Sequence, residues 1–318
     1  MGAAAAPGTS RMSDAAAADA LDPEIVAALE HAEGGAWGDM YDAAASAPGD
    51  PVGARTRMIA GGTAFAATCV DLGLFNRMIG LGVAGPASED DVEAAASFFS
   101  ELGRAQSLVQ VVPSARPLEI GTWLARRGYV PGSEWVKMWR PLESVPEADT
   151  PLRIERVGAE RADAWVDVAC TAFEMPLELR DLPPAAIGRP GWFHYLGFDG
   201  DLPVSVAAMR VAGDIAWLGW GATLPSHRLR GGQSALFARR LRDARELGCR
   251  YAVTETSAET PAAPLNRSYR NMLRLGFTLA YLRRDWVRGG AAGAQRRDHT
   301  SLARVTRPPI APSAAPRA

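Results

Sequence analysis

The segment GWGATLPSHRLRGGQSALFARRL (residues 219–241) has the most informative local pattern in this 318-residue chain. An apolar strand leads into a proline-containing loop, and Gly231 and Gly232 then open a helix. The first amides of a helix have no partner inside it, and the helix dipole attracts an anion to that end. The glycines allow close backbone approach, and Arg228 and Arg230 add charged donors. The segment therefore predicts an anion site suited to a pyrophosphate, although a plain turn between strand and helix has the same pattern.

The elements on both sides of this segment follow a mixed strand–helix order. Asp-Gly and Gly-Asp pairs between apolar runs are hairpin signals. They occur at 199–200 and 213–214 and divide residues 192–223 into three strands. The remaining predicted elements of the second half are strands at 152–156, 251–256 and 277–288, helices at 159–174, 232–247 and 265–275, and a short helix near 184–188. This order predicts an α/β protein with a mixed, mostly antiparallel sheet flanked by helices.

The chain contains an internal repeat. Each half ends in a helix that stops at a glycine followed by an aromatic residue, Gly128-Tyr129 and Gly276-Phe277, and then enters a strand. The sequence of the first half predicts the same order of elements as that of the second, with strands at 62–70, 75–82, 107–112 and 134–140 and helices at 88–102 and 116–127. The fold is therefore expected to be duplicated in tandem.

The repeat divides the chain into four segments. Residues 1–20 and 289–318 contain few large apolar side chains, which predicts disordered tails. Residues 21–145 and 151–288 each carry one copy of the repeat, and the acidic, proline-flanked segment 143–151 is the predicted linker. We expect a monomer or a homodimer.

Composition excludes several classes of protein. Apolar residues make up 47% and charged residues 22% of the chain, as in globular proteins, and the net charge of −2 gives no field that attracts nucleic acid or anionic lipid. Scattered cysteines and histidines without CxxC or HExxH predict neither a metal site nor a disulfide framework. No apolar run reaches the ~20 residues of a membrane helix. A cytoplasmic protein without membrane or nucleic-acid contacts is expected.

Arg228, Gly231 and Gln233 fit the pattern R/Q-x-x-G-x-G/A, with Gln in place of the last Gly or Ala. This pattern at a strand–loop–helix junction, within this order of elements, resembles the GNAT superfamily of acyl-CoA-dependent N-acyltransferases. The resemblance covers 152–288 and implies acetyl-CoA or another acyl-CoA as co-substrate, with the thioester in a gap between two splayed strands and no metal. The implied CoA-binding residues are Ala222, Thr223, Leu224, Arg228, Leu229, Arg230, Gly231, Gly232, Gln233, Ser234 and Asn271.

The corresponding helix of the first half begins within GPASEDDVEAA (85–95). Ser88 and Asp91 fit a capping box, which satisfies the first amides internally. The acidic side chains of Glu89 and Asp90 would repel a pyrophosphate. We therefore expect the first half to be a degenerate copy that binds no CoA and serves as a structural partner or as one wall of the substrate cleft.

Glu255 is the candidate general base, because it lies near the C-terminal end of a strand predicted to be buried. A buried carboxylate needs a partner or has a shifted pKa, so a structural Glu bonded to backbone or arginine is the alternative. Glu259, in a loop, is the weaker candidate. The resemblance implies a tyrosine acid at the position of Met272, which cannot donate a proton. Tyr269, about one turn earlier, is the candidate acid, with simple packing as its alternative.

The strands around the predicted gap are rich in aromatic residues. The aromatic residues of these strands include Trp192, Phe193, His194, Tyr195, Trp217 and Trp220. We expect these residues to pack in the core and not to form a substrate box. Gly219 and Gly221 are predicted to share one face of their strand, where a larger side chain would block a ligand. The alternative explanation for the two glycines is a bulge or close packing.

The expected activity is an N-acetyltransferase reaction in the second half. An acetyl or other acyl group would pass from acyl-CoA to the amine of a small molecule or a peptide. One alternative is a non-catalytic module that binds or senses acyl-CoA, consistent with Met272. The other is an enzyme resembling mycothiol synthase, with two functional halves.

Overall fold

The computed structural model describes residues 21–259 and 266–289. The tails predicted at 1–20 and 289–318 lie outside the described residues, apart from residue 289. The strands are β1 (Ala54–Ile59), β2 (Gly62–Ala67), β3 (Asn76–Ile79), β4 (Ser107–Val111), β5 (Val130–Pro141), β6 (Arg153–Val157), β7 (Trp192–Asp199), β8 (Leu202–Ala212), β9 (Ile215–Thr223), β10 (Tyr251–Ser257) and β11 (Thr278–Arg288). The helices are α1 (Pro23–Ala45), α2 (Glu89–Glu101), α3 (Ile120–Arg126), α4 (Ala162–Phe173), α5 (Gly232–Glu246) and α6 (Arg267–Arg274).

The second half confirms the predicted mixed sheet. Strands β6 to β9 are antiparallel neighbours, and the turns between β7, β8 and β9 have Gly200 and Gly213 with φ of 61° and 59°. Helix α5 then crosses to β10, which pairs with β9 in parallel. The helix predicted at 159–174 begins as a 3-10 turn at Ala159–Arg161, and the short helix near 184–188 is a 3-10 turn at Pro183–Ala186.

The first half repeats this order, and it also contains two elements that the sequence patterns did not predict, α1 and β1. The interior of α1 carries three glycines, which are poor helix formers. Two of them allow the helix to approach β2 closely. A methyl group built on Gly34 would lie 3.2 Å from Thr63 Oγ1, and one on Gly38 would lie 3.1 Å from Thr63 Cγ2. Tertiary packing therefore outweighs local propensity in α1.

The two halves share a single sheet and exchange their closing strands. The strand order is β1-β2-β3-β4-β11-β5-β10-β9-β8-β7-β6. The last strand of the second half, β11, lies between β4 and β5, and the last strand of the first half, β5, lies between β11 and β10. All three contacts among these four strands are antiparallel. Strands on both sides of the predicted linker therefore belong to one continuous sheet.

The two faces of the sheet carry different cores. On one face a single apolar cluster joins both halves, and it contains side chains of α1 and α4 together with Phe65, Trp217 and Val253. On the other face each half has its own cluster, with α2 and α3 on the first half and α5 and α6 on the second. Helix α1 thus covers sheet residues of both halves.

The described residues contain neither a membrane-spanning helix nor a metal-binding cluster. In residues 21–259 and 266–289 no helix combines the length and apolar character of a membrane span. The same ranges hold no cluster of three or more His, Cys, Asp or Glu side chains arranged to bind a metal ion. Cys69, Cys170 and Cys249 are all free thiols.

Candidate active site

Strands β9 and β10 separate in the middle of the sheet. Their parallel register covers Tyr251, Ala252 and Val253 of β10, and the last contact is the hydrogen bond from Thr254 Oγ1 to the Leu218 carbonyl at 2.8 Å. Beyond that point β9 continues beside β8, and β10 continues beside β5. A gap therefore opens between the ends of two adjacent strands, at the place where the resemblance predicts one.

A β-bulge bends β9 at the start of this gap. Trp220 has a φ of 55°, and two residues of β9 oppose Ala207 of β8. The prediction that Gly219 and Gly221 share one face is wrong, because the bulge interrupts the alternation of side chains. A Cβ on Gly219 would overlap the Trp217 ring, whereas one on Gly221 would lie 3.5 Å from Arg240 of α5 on the other face. Close packing of an indole explains Gly219.

The loop after β9 leaves backbone amides at the start of α5 without a side-chain cap. Leu229 and Gly231 have φ of 66° and 74°, and alternation of this kind forms anion-binding concavities. Within residues 21–259 and 266–289 no side chain caps α5, and its first internal hydrogen bond runs from the Ala235 amide to the Gly231 carbonyl. The amides of Gly232, Gln233 and Ser234 therefore precede the hydrogen-bonded part of the helix.

The two arginines of the loop differ in whether their charge is already paired. Arg230 donates to Asp199 at 2.5 and 3.1 Å, so its charge is already paired. Arg228 is exposed, and its hydrogen bond within the described part of the chain is a long one to the Thr223 carbonyl, at 3.4 Å. Leu229 is 86% exposed, so its side chain leaves the concave side of the loop free. Arg228 is the loop cation that remains available for a ligand.

Gln233, the departure from the family pattern, ties α5 to α6. Its Nε2 donates to Ser268 Oγ at 3.1 Å, and its Oε1 accepts from Asn271 Nδ2 at 3.2 Å. Ser234 Oγ donates to Asn271 Oδ1 at 2.8 Å. The structure brings these four residues together, and Asn271 orients the first turn of α5.

Two buried hydroxyls beneath this turn have no hydrogen-bond partner among the described residues. They belong to Thr223 and Ser205, which face each other across β9 and β8. A methyl group on Gly232 would lie 3.5 and 3.6 Å from the two oxygens. Unpaired hydroxyls and uncapped amides fit the diphosphate and amide groups of CoA. Ala222 and Leu224 pack against the shared core, and the Leu224 amide is bonded to the Val204 carbonyl.

Glu255 lies beside the gap with its side chain 10% exposed. Both of its carboxylate oxygens accept from Trp217 Nε1, at 3.2 and 3.1 Å, and Lys137 Nζ lies 3.9 Å away. Burial and then the charge of Glu33 raise the pKa of Glu255 to about 7, although Lys137, Arg283 and Arg77 act in the opposite direction. A carboxylate with a pKa near neutrality is suited to general-base chemistry.

Glu255 is one member of a buried charge network between α1 and the central strands. The network consists of Glu30, Glu33, Glu255, Arg77, Lys137 and Arg283. Of these six residues, only Glu255 is predicted from the sequence pattern. Lys137 does carry a compositional signal, because it is the one lysine of the whole chain and lies inside an apolar strand.

Tyr269 and Met272 pack in the core on the opposite face from Glu255. Both belong to the apolar cluster of α5 and α6, and burial raises the pKa of Tyr269. Thr256, next to Glu255 on β10, accepts from Asn266 at the start of α6, so α6 covers the face from which Glu255 points away. Glu259 binds Arg270 at 3.0 Å.

The equivalent loop of the first half is closed by the protein itself. Ser88 and Asp91 form the predicted capping box, with the Asp91 amide donating to Ser88 Oγ and the Ser88 amide donating to Asp91 Oδ2. The sequence Gly-Leu-Gly-Val-Ala-Gly at 80–85 precedes this helix, but Arg116 lies against it. The Arg116 amide donates to the Gly82 carbonyl, and a Cβ on Gly82 would lie 2.5 Å from the Arg116 oxygen.

The aromatic residues near the gap pack as expected. Trp217 contacts Trp37 of α1 and Trp192 of β7 in edge-on geometry, and Tyr195 is fully buried. His194 stacks on Trp192, and burial lowers its pKa to about 3, which keeps the ring neutral. These side chains pack in or against the apolar clusters.

Comparison with solved structures identifies the architecture. A GCN5-related N-acetyltransferase from Kribbella flavida superposes with a TM-score of 0.58 at 19% identity, over 87% of this chain and 99% of its own. One from Sphaerobacter thermophilus gives 0.51 at 16% identity, over 86% and 96%. A conserved Staphylococcus epidermidis protein of unknown function gives 0.51 at 9% identity, over 76% and 96%.

Sequence comparisons add no closer relationship. No protein-family model matches the chain, and no curated protein sequence matches it significantly. At identities below 20% the structural likeness establishes the fold alone. The chain has the fold of the GCN5-related N-acetyltransferases, duplicated in tandem so that two halves share one sheet.

Proposed function

We propose that the chain is an acyltransferase that uses acetyl-CoA or another acyl-CoA, with its active site in the second half. The observation that carries this proposal is the uncapped start of α5, which follows a loop with left-handed residues and adjoins the gap between β9 and β10. The side-chain cap on the equivalent helix of the first half, which α5 lacks, supports a single site per chain. The acceptor would be the amine of a small molecule or a peptide.

CoA would be held by the amides of residues 231–234, by Arg228 and by the unpaired Thr223 hydroxyl. When bound, it supplies an acyl group activated as a thioester. Residues Gly231 and Gly232 keep side chains out of the loop, and Asn271 orients Gln233 and Ser234.

Glu255 would accept a proton from the acceptor amine on its carboxylate. The Trp217 indole orients the carboxylate, and burial keeps its proton affinity high enough to function near neutral pH. Because a thiol has a pKa of about 8.5, departure of the CoA thiolate does not require an acid. The core position of Tyr269 and the presence of Met272 are therefore compatible with turnover.

Turnover of acetyl-CoA with a panel of amines tests this proposal against the sensing alternative. We expect thiol release with at least one amine, and a fall in rate of about a hundredfold or more in Glu255→Gln, which is the usual scale of general-base catalysis. CoA affinity should be unchanged in that variant, because Glu255 lies away from the loop. Binding without turnover across the panel would favour a sensing module, and a wild-type rate in Glu255→Gln would exclude it as the base.

A further inference from the structure

The only lysine of the chain is a fully buried side chain in the closing strand of the first half. Lys137 lies on β5, and its register partner on β10 is Glu255. Its Nζ contacts Glu33 directly and lies 3.5 Å from Glu30 and 3.9 Å from Glu255. The exchange of closing strands therefore places a cation of the first half beside the candidate base of the second half.

The carboxylates of α1 hold the cations of the network more tightly than Glu255 does. Arg283 donates to Glu30 at 3.0 Å and to Glu33 at 2.8 and 3.0 Å. Arg77 lies 3.8 Å from Glu33. Glu255, in contrast, has one indole N–H and one ammonium at 3.9 Å. Its negative charge is thus the least compensated of the three.

One member of the network can be reached from the gap. The side chains of Lys137, Glu33 and Arg283 are fully buried, whereas that of Glu255 is 10% exposed beside the gap. A molecule that enters the gap can therefore meet Glu255, and the other members can act only through it.

We propose that the first half completes the active site of the second, with Lys137 and Glu33 acting as positioning residues that set the charge carried by Glu255. This inference rests on the role of Glu255 proposed above. It assigns the first half an electrostatic function at the active site, beyond that of a packing partner. It also explains why α1 spans both halves.

The two positioning residues act in opposite directions. The charge of Glu255 is influenced by Glu33 on α1, Arg77 on β3, Lys137 on β5 and Arg283 on β11, and Trp217 on β9 donates to it. Beside these groups lie Glu30 on α1 and Tyr281 on β11, which bond to each other. Glu33 repels a charged Glu255, and Lys137 attracts it. Removing the first charge favours the ionised base, and removing the second favours its protonated form.

The pH profile of kcat/KM tests this assignment. In Glu33→Gln the acidic limb should move to lower pH by about one unit, and in Lys137→Met it should move to higher pH by about one unit, which is the scale on which a neighbouring charge shifts the pKa of a carboxyl group. The double variant Glu33→Gln/Lys137→Met loses one charge of each sign and should return the limb towards its wild-type position.

A matched control comes from an ion pair far from the site. Glu93 pairs with Arg127 at 2.7 Å between α2 and α3, and Glu93→Gln should leave the limb in place. Acetyl-CoA affinity, measured in parallel, verifies that each variant is folded. The proposal would be overturned if the acidic limb stayed in place, or moved in the same direction, in the two single variants. A purely structural role would lower the rates without moving the limb in opposite directions.

The single lysine provides a second test that needs no turnover. Protein labelled with [ε-¹³C]lysine gives one methylene signal, from Lys137. We expect the chemical shift of this signal to report the titration of Glu255 as a step in the wild type, and the step to disappear in Glu255→Gln. A signal without this step would overturn the coupling even in an active enzyme. A wild type that neither binds nor turns over acetyl-CoA, but keeps the step, would instead overturn the proposed function alone.

Discussion

Gln233 offers the cleanest probe of the phosphate site, because its side chain is already held in place by Ser268 and Asn271. Gln233→Glu keeps the shape and adds one negative charge in the first turn of α5. The helix dipole should hold or raise stability, by about 0.3–1 kcal/mol. Acetyl-CoA affinity should nevertheless fall about tenfold or more, because the new charge meets the diphosphate. Calorimetry and thermal unfolding measure the two effects.

The control for this variant lies in the first turn of the equivalent helix. Asp90→Asn on α2 changes one exposed charge and should leave the affinity at its wild-type value. Gly231 is less suitable for substitution, because a Cβ there would overlap the Asp149 carbonyl oxygen and disturb the fold. Equal affinities in wild type and Gln233→Glu would remove the α5 start as the phosphate site.

Glu255 should also make stability depend on pH. Its pKa is raised from 4.5 to about 7 by burial and by Glu33, so the folded state retains a proton that the unfolded chain has lost. The resulting stabilisation is complete below pH 4.5 and is lost as the pH rises through 7. Glu255→Gln has no such loss, so its stability relative to wild type should increase by on the order of 2–3 kcal/mol from pH 5 to pH 8. A difference that stays constant in denaturant titrations across this range would contradict the shift.

At the scale of single residues, the sequence predicted the glycines and Glu255 but not the environment that makes Glu255 reactive. The glycines have a local signature, because a strand, a loop and a helix start are contiguous in the chain. Glu33, Arg77 and Arg283 come near enough to affect the pKa of Glu255 only through tertiary packing across both halves. Nothing within ten residues of any of them indicates that proximity.

At the scale of elements, the bulge in β9 fixes the geometry of the gap, and the two adjacent glycines provide a matched pair of variants. In Gly219→Ala the new methyl would overlap the Trp217 ring, which must move and release Glu255. We expect a loss of about 1–3 kcal/mol and a lower rate. Gly221→Ala meets Arg240 at an ordinary 3.5 Å and should be nearly neutral. Similar unfolding midpoints for the two variants would show that the indole tolerates displacement.

The elements themselves were predictable wherever turn chemistry marked their ends. The hairpins at 199–200 and 213–214, the capping box at Ser88 and the glycine stops of the repeat all have local signatures. Helix α1 has no such local signature. Its glycines argue against a helix, and only the contact with Thr63 explains them.

At the scale of the whole molecule, the exchange of β5 and β11 should make the halves interdependent. A fragment of residues 151–289 would leave β10 without β5 and β11 without both of its neighbours. Exposed strand edges of this kind promote association. We expect this fragment alone to be associated or unfolded in size-exclusion chromatography and circular dichroism, and to recover a folded state when mixed with residues 21–150. A monomeric fragment with cooperative unfolding would contradict this interdependence.

The duplicated fold also sets the number of binding sites, and a calorimetric titration of the full chain with acetyl-CoA counts them. The open α5 start and the closed α2 start together predict one molecule bound per chain. Two molecules per chain would contradict the closure of the first half. No binding at concentrations up to the millimolar range would contradict the site itself.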